Sequence, residues 1–365
     1  MEEKRGAVLV CPLNWGLGHA SRCIPLVMEL IKQNQEVIIA ADGGPLRLLK
    51  TEFPELQFIE LKGANIRYSE KGFSVFMMLT QFPKMIWGVY SEHCWLKEIL
   101  KRNNIIAIIS DNRYGLWSSG IKSIIITHQL NIQLPHFWKW MEYGVNKLNR
   151  FLIAKFNECW VPDEKEHINI SGDLSHNCKS VKNVKYIGML SRMNTVSENS
   201  QDKIYEVLAI LSGPEPQRSV LENIVISKLS NKDKNVLIVR GLPDMNEAPA
   251  TNGNITLVNH LPASLLKAHM MKCRFIICRS GYSSLMDLAA IGRSAIVIPT
   301  PGQPEQEYLA KYHHQSCHHF MLQQDTLDLD TAYSGISNCK PILLRNNNLE
   351  ILVSDFLINR TGIRY

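Results

Sequence analysis

The sequence predicts an α/β protein of two similar domains, each a mostly parallel sheet flanked by helices, facing one another across a cleft. Three observations carry that expectation. The chain has 365 residues, too many for one ordinary core at roughly 100 to 200 residues per domain. Short apolar runs alternate with segments of helical periodicity, the pattern of β-loop-α-β units. The pattern starts near residue 7 and restarts near residue 205, with the polar stretch MLSRMNTVSENSQDK between.

In the first half, AVLVCP (residues 7–12) reads as a strand buried on both faces, because a short continuous apolar run fits the interior of a parallel sheet. After the loop LNWGLGHAS, Ile24, Val27, Leu30 and Ile31 recur at helical spacing. Strands follow at residues 36–41, 105–110 (IIAIIS) and 123–127 (SIIIT). The second half repeats this with strands at 205–211, 236–240, 255–258, 275–278 and 295–298, and a helix from about residue 219 to 229. The polar stretch reads as a linker over 190–203. The expected domains are therefore 1–192 and 203–340.

Apolar residues make up 45% of the chain and charged residues 20%, which excludes a disordered or fibrous protein. Forty Lys and Arg against 34 Asp and Glu give +6, too sparse for a nucleic-acid-binding face. Residues 1–190 hold 23 basic against 18 acidic side chains, so most of the surplus lies in the first half. Nine cysteines without a CxxC pair indicate neither a disulfide framework nor a zinc ribbon, and fit a reducing compartment. No run of about 18 apolar residues is present, and the opening apolar run is too short for a signal peptide. A cytoplasmic protein without a spanning helix is expected.

Three loops carry the candidate chemistry. NWGLGHASR lies between the first strand and first helix, where Gly16 and Gly18 permit close backbone approach and the helix start offers free N–H groups. His19 on that turn can serve as a general base near neutral pH, although the same residues also fit a plain glycine turn. SGPEPQR (Ser212 to Arg218) occupies the equivalent place in the second domain, suiting a diphosphate with Arg218 neutralising its charge. It is neither a Walker A nor a GxGxxG loop. The third stretch, CRSGYSSLMDL, is followed by IVIPTPGQPEQE. There Ser280 and Gly281 end a strand and open a helix, Asp287 lies about two turns on and can accept from vicinal hydroxyls, and Gln306 and Glu307 can grip sugar hydroxyls. Helix caps and a solvated face would explain these residues equally.

Taken together, these segments resemble the GT-B glycosyltransferases, most closely the MurG-like family 28 enzymes, in which a strand ends in RSG, an acidic residue follows on the helix, and a proline loop leads to a Gln-Gln pair. The resemblance spans both halves in order, with NWGLGHASR and SGPEPQR in the places of the two glycine-rich loops and His128-Gln129-Leu130-Asn131 in the place of a His-Glu-Gln-Asn segment. It implies a GT-B fold of two Rossmann-like domains. Within it, the second domain would bind a UDP-sugar and the first an acceptor, and residues 341–365 would include a helix returning to the first domain. Ser212, Gly213, Arg218, Arg279 and Ser284 would belong to the donor site, and Ser280 and Gly281 would cradle the diphosphate. Asp287 would bind the ribose, His260 and Leu261 would face the base, and Gln306 with Glu307 would hold the sugar. Gly16, Gly18, His128 and Asn131 would lie on the acceptor side. The resemblance implies no catalytic metal and no cofactor beyond the UDP-sugar co-substrate.

The sequence departs from that pattern at Glu307, which stands in place of the second glutamine, and at Gln129, which removes a carboxylate base. Asp111 is a second candidate for activating the acceptor, since loops beyond strand ends are where α/β sheets place ligands. A cap or a pair with Arg113 accounts for it equally. Two aromatic and basic stretches, residues 73–95 and 134–155, fit either buried helices or a surface resting on an anionic membrane with a lipid tail. His313, His314, Cys317, His318 and His319 form a cluster that could bind a metal, or simply a solvated helix end.

The expected activity is inverting, metal-independent transfer of a sugar, N-acetylglucosamine by resemblance, from a UDP-sugar to a lipid-linked or cell-envelope glycan acceptor. His19 or Asp111 would be the base. A UDP-sugar 2-epimerase or hydrolase of the same fold, or a non-catalytic nucleotide-sugar-binding protein, is the alternative.

Overall fold

The structure is a computed structural model. It describes residues 6–63, 75–165, 168–177, 181, 183–194, 205–230, 233–243, 245, 249–343 and 349–359. Strands and helices fall into two groups along the chain.

The first sheet contains β1 (Ala7–Pro12), β2 (Val37–Ala41), β3 (Gln57–Glu60), β4 (Ile105–Asp111), β5 (Lys122–Ile126), β6 (Glu158–Val161) and β7 (Val184–Tyr186). Its order is β3-β2-β1-β4-β5-β6-β7, and every pair is parallel. Helices α1 (Leu17–Lys32), α2 (Gly43–Glu52), α3 (Val75–Arg102) and α4 (Glu142–Ile153) cover it.

The second sheet contains β8 (Val207–Ile210), β9 (Val236–Val239), β10 (Ala250–Asn252), β11 (Ile255–Val258), β12 (Phe275–Cys278), β13 (Ile296–Val297) and β14 (Phe320–Met321). Its order is β10-β11-β9-β8-β12-β13-β14; only the β10–β11 hairpin is antiparallel. Its helices are α5 (Gln217–Leu229), α6 (Ala263–Lys272), α7 (Tyr282–Ile291), α8 (Pro304–Gln315) and α9 (Leu329–Gly335).

Alternation along each central strand builds the two layers of core. In β1, Val8 and Val10 join the cluster under α1, whereas Ala7, Leu9 and Cys11 join the cluster on the opposite face. In β8, Leu208 faces one cluster while Val207 and Ala209 face the other. Strands buried on both faces cannot show a polar side, which is why they were visible in the sequence as continuous apolar runs.

The two sheets share a topology, and it fixes where a ligand can sit. In each, the chain winds outward in one direction from the first strand and then crosses to its other side. The order reverses between β1 and β4 and between β8 and β12. At such a switch point the loops diverge and leave a crevice beyond the strand ends.

The chain passes between the domains twice. A final helix, α10 (Leu349–Ile358), lies on the first domain, where Val353, Phe356 and Leu357 enter the cluster shared with α1. Phe356 meets Trp160 edge-on at 5.6 Å, and Lys32 Nζ reaches Glu350 at 3.1 Å. The stretch read as a linker is partly a packed seam. Leu190 is buried in the first domain's core, while Met189 and Met193 are buried in the second's. Apolar side chains at residues 189, 190 and 193 are the reason; residues 195–203 lie outside the described residues.

Candidate active site in the cleft

The loop after β1 turns at Gly16, whose φ of 95° favours glycine, and delivers the start of α1 to the switch point. Helical periodicity then sets His19 and Arg22 on one face of α1, three residues apart. Asp111 ends β4, paired in register with Pro12 at the end of β1, and so lies directly beside that face. The result is a buried cluster. His19 Nδ1 lies 2.9 Å from Asp111 Oδ1. Arg22 donates to both carboxylate oxygens, with Nε 2.5 Å from Oδ2.

Its charges follow from burial and proximity. Burial would raise the Asp111 carboxyl, but Arg22 and His19 outweigh it and hold it far below the carboxylate range. Burial lowers His19 below the ordinary imidazole value; Asp111 opposes this shift and Arg22 reinforces it. A neutral imidazole beside an ionised carboxylate shares one proton with it, and that proton belongs on Nδ1. Nε2 is then the ring's bare acceptor, and it has no hydrogen bond to any described residue.

His19 and Asp111, separate candidates in the sequence, form one pair in the structure. Arg113 is not the partner of Asp111. It is buried beneath the sheet end, bound to Asp42 at 2.8 Å and Glu92 at 3.1 Å.

The cluster opens onto a cavity of about 380 Å³ between the domains. Gly16, Gly18, His19, Arg22, Asn112 and His128 line it from the first domain. Ser212, Gly213, His260, Leu261, Gly281, Ser284, Asp287 and Gln306 line it from the second. The Asn112 amide oxygen is buried there with no partner among the described residues.

Asp287, on α7, accepts from Ser191 Oγ at 2.6 Å and faces Arg192 at 3.7 Å. Burial nevertheless raises its carboxyl above the usual value. Gln306 is anchored by Thr300 N, which donates to its Oε1 at 2.9 Å.

Six residues expected at the ligand do not line the cavity, the first being Asp111, which is fully buried against His19 and Arg22. Arg218 is buried against Glu222 and Glu215, so its charge is spent inside the second domain. Arg279 is buried under the loops, donating to the carbonyls of Pro299 and Gln217 at 3.1 and 2.8 Å and to Gln324 at 2.7 Å. Ser280 turns inward, its hydroxyl donating to Gln306 O at 2.8 Å. Glu307 folds back to accept from Gly302 N at 2.6 Å. Asn131 faces the Leu174 turn, its N–H donating to Leu174 O at 2.8 Å.

Other residues take those places. Glu305, not Glu307, faces the first domain, with Oε1 2.9 Å from His128 Nε2 and Oε2 accepting from Gln129. Tyr282 stacks on His128, with ring centroids 3.9 Å apart and planes 2° from parallel, and donates to Pro162 O at 2.7 Å. Ser283 Oγ donates to Gly18 O at 3.0 Å. Sequence signals for these were faint. Arg22 stands one helical turn after His19, and Glu305 follows a proline that starts a helix.

Each of the four histidines in the cluster makes a hydrogen bond within the fold. His313 Nε2 donates to Ile170 O at 2.9 Å, His319 Nδ1 accepts from Ala295 N at 3.2 Å, and His318 Nδ1 donates to Lys340 O at 3.1 Å. Burial lowers His313 to about 4. Among the described residues, no group of three His, Cys, Asp or Glu could hold a metal ion.

Much of the second aromatic stretch is on the surface. Phe137 is 88% exposed and Trp140 75%. Along α4, Tyr143, Lys147 and Phe151 form one exposed stripe at four-residue intervals, continued by Lys155 just past the helix end and opposite buried Asn146, Asn149 and Ile153. Ile86, Trp87 and Tyr90 on α3 are exposed as well. Residues 73 and 74 of the first stretch, and the side chains of 75–82, lie outside the described residues. No helix among the described residues is long and apolar enough to cross a membrane.

Comparison with known proteins agrees with this architecture. Residues 217–347 match the model of the glycosyltransferase family 28 C-terminal domain. No curated protein matches the sequence. Among solved structures, MurG of Acinetobacter baumannii superposes with a TM-score of 0.51 at 14% identity, covering 97% of this chain and 99% of that one. Arabidopsis thaliana UGT89C1 in complex with UDP-L-rhamnose gives 0.55 at 12%, covering 97% and 93%. A putative UDP-N-acetylglucosamine 2-epimerase from Listeria monocytogenes gives 0.58 at 12%, covering 97% and 96%. At such identities the likeness is one of fold.

Proposed function

For this chain, a glycosyltransferase of GT-B fold with a family 28 C-terminal domain, we propose inverting transfer of N-acetylglucosamine from its UDP donor to a hydroxyl of a lipid-linked or cell-envelope glycan. The observation that carries this reading is the His19–Asp111 pair, set on the cleft opposite the start of α7 and Asp287. Asp111 keeps the Nδ1 proton in place and stabilises the imidazolium that forms. The acceptor O–H gives its proton to His19 Nε2 as its oxygen attacks the anomeric carbon. The bond from that carbon to the diphosphate oxygen breaks on the opposite side, and UDP leaves.

On the donor side, Asp287 accepts from the ribose hydroxyls, and Gln306 holds the sugar. Backbone N–H groups at the start of α7 face the departing diphosphate. No metal is required in this scheme, and Arg218 has no part in it. Ile132, Gln133 and Leu134 line the cavity, and the chain runs from them directly into the exposed Phe137 and Trp140 and then into α4. Aromatic side chains interleaved with lysines suit an anionic membrane interface, which would present a lipid-linked acceptor to the cleft from the cytoplasmic side.

Release of UDP from UDP-N-acetylglucosamine, measured with and without a membrane lipid extract and in the presence of a chelator, tests the reaction. Acceptor-dependent, chelator-insensitive release is expected. Equal consumption without acceptor would instead indicate the epimerase or hydrolase. Asp287→Ala should weaken UDP binding by about tenfold or more in calorimetry, from the loss of hydrogen bonds to a charged acceptor. Unchanged affinity would remove the ribose contact.

A further inference from the structure

We propose that Glu305, on the donor-binding domain, is a positioning residue that sets the tautomer of the base on the opposite domain, through the relay Glu305–His128–Arg22–Asp111–His19. The inference rests on the reading of His19 and Asp111 as the base, and deepens it.

Each step follows from which atoms can donate. Glu305 projects from the first turn of α8 across the cleft, and its carboxyl is ionised: burial alone would raise it, but His128 and the charges behind His128 hold it low. A carboxylate only accepts, so the 2.9 Å contact to His128 requires the proton on Nε2. Nδ1 of His128 is then bare. Its neighbour on that side, Arg22 Nη1 at 3.3 Å, only donates, and so demands that bare nitrogen.

Arg22 commits its Nε and Nη2 to Asp111, and Asp111 in turn accepts from His19 Nδ1 at 2.9 Å. Arg22 Nη2 also approaches His19 Nδ1 at 2.9 Å. Arg22 Nη2 already donates to Asp111 Oδ1, so at the shared Nδ1 the carboxylate, which can only accept, takes the proton. Tyr282 fixes the His128 ring plane by stacking and is itself tied to Pro162 O, so both domains hold the imidazole.

Reversing the His128 tautomer would set an N–H against the N–H of Arg22. The guanidinium would have to leave Asp111, and His19 would lose the partner that keeps Nε2 free. The base is therefore complete only when the donor domain brings Glu305 to His128.

Histidine side-chain nitrogen NMR on the full chain reads this directly, without turnover. In the unaltered protein His128 should be the Nε2–H form and His19 the Nδ1–H form. Glu305→Ala should convert His128 to a mixture and shift the His19 nitrogens; unchanged His19 signals would overturn the relay. His128→Phe keeps the stack on Tyr282 and should shift His19 in the same way.

Kinetically, each variant should lower kcat about tenfold or more, and the double variant no further than the worse single one. Additive losses would also overturn it. The two readings fail separately: full activity in His19→Ala would remove the base, whereas an inactive His19→Ala with normal His19 signals in Glu305→Ala would remove only the relay.

Discussion

Arg22 is 2% exposed, and its guanidinium reaches Asp111, His128 and His19 together. A buried charge with that many partners is costly to orphan. Asp111→Asn should destabilise the protein by about 3–5 kcal/mol, the range for removing one partner of a buried ion pair, measurable by chemical denaturation. The folded value of Asp111 is depressed, so its contribution is fully present above the unfolded carboxyl value and is lost as pH falls through the folded one. For His19 the shift is also downward, so the imidazole stays unprotonated at and somewhat below the ordinary imidazole value. The acid limb of kcat/KM should therefore fall below about 6.5, and a limb at or above that value would contradict the assignment. His19→Ala should lower kcat by about two to four orders of magnitude while leaving UDP affinity within error. His19 was legible in the sequence because a histidine beside a glycine turn is an isolated signal. Arg22 was not, since its role depends on an aspartate that folding brings from 89 positions away.

Elements decide which of two similar side chains reaches across the cleft. Glu305 and Glu307 are two residues apart on α8, and at about 100° per residue they point in nearly opposite directions. One crosses the cleft and the other turns back to Gly302. The sequence signalled the proline loop and its polar residues, but a choice between the two needs the helix start and its rotation about the axis. The strands β1, β2, β4, β8, β9, β11 and β12 were legible as continuous apolar runs. The five that were missed, β3, β6, β7, β10 and β14, hold no four consecutive apolar residues, so they lack the run that marks a strand buried on both faces. Where α1 meets α7 the fit is close: a Cβ at Gly18 would lie 2.8 Å from Ser283 Oγ. Gly18→Ala should lower kcat several-fold by prising the helices apart, and Ser283→Gly in the same chain should restore it. Absence of rescue would show that the glycine serves the backbone and not the contact.

At the scale of the molecule, the sequence disclosed two α/β units in the right order and a surplus of positive charge in the first. It did not disclose which aromatics would be buried, because residues 134–155 have the periodicity of a helix that could be covered on either face. Folding covers Asn146, Asn149 and Ile153 and leaves Tyr143, Lys147 and Phe151 outside. If that face rests on a membrane, the chain should sediment with anionic vesicles at low salt and be released at high salt. Trp140→Ser with Phe137→Ser should weaken sedimentation and leave UDP binding unchanged, and equal binding by the double variant would exclude this face.

The return of α10 has a mechanical consequence. Gly6 and Asn359, at the two ends of the described chain, both belong to the first domain, held there by β1 and α10. In its connectivity the second domain is therefore an excursion, leaving from and returning to the unit that holds both ends of the described chain. A pull on the ends would first strain the contacts of α10 with α1, Trp160 and the first sheet. Until they gave way, the second domain would bear no load. An optical-trap trace should accordingly open with the rupture of α10, before the second domain unfolds.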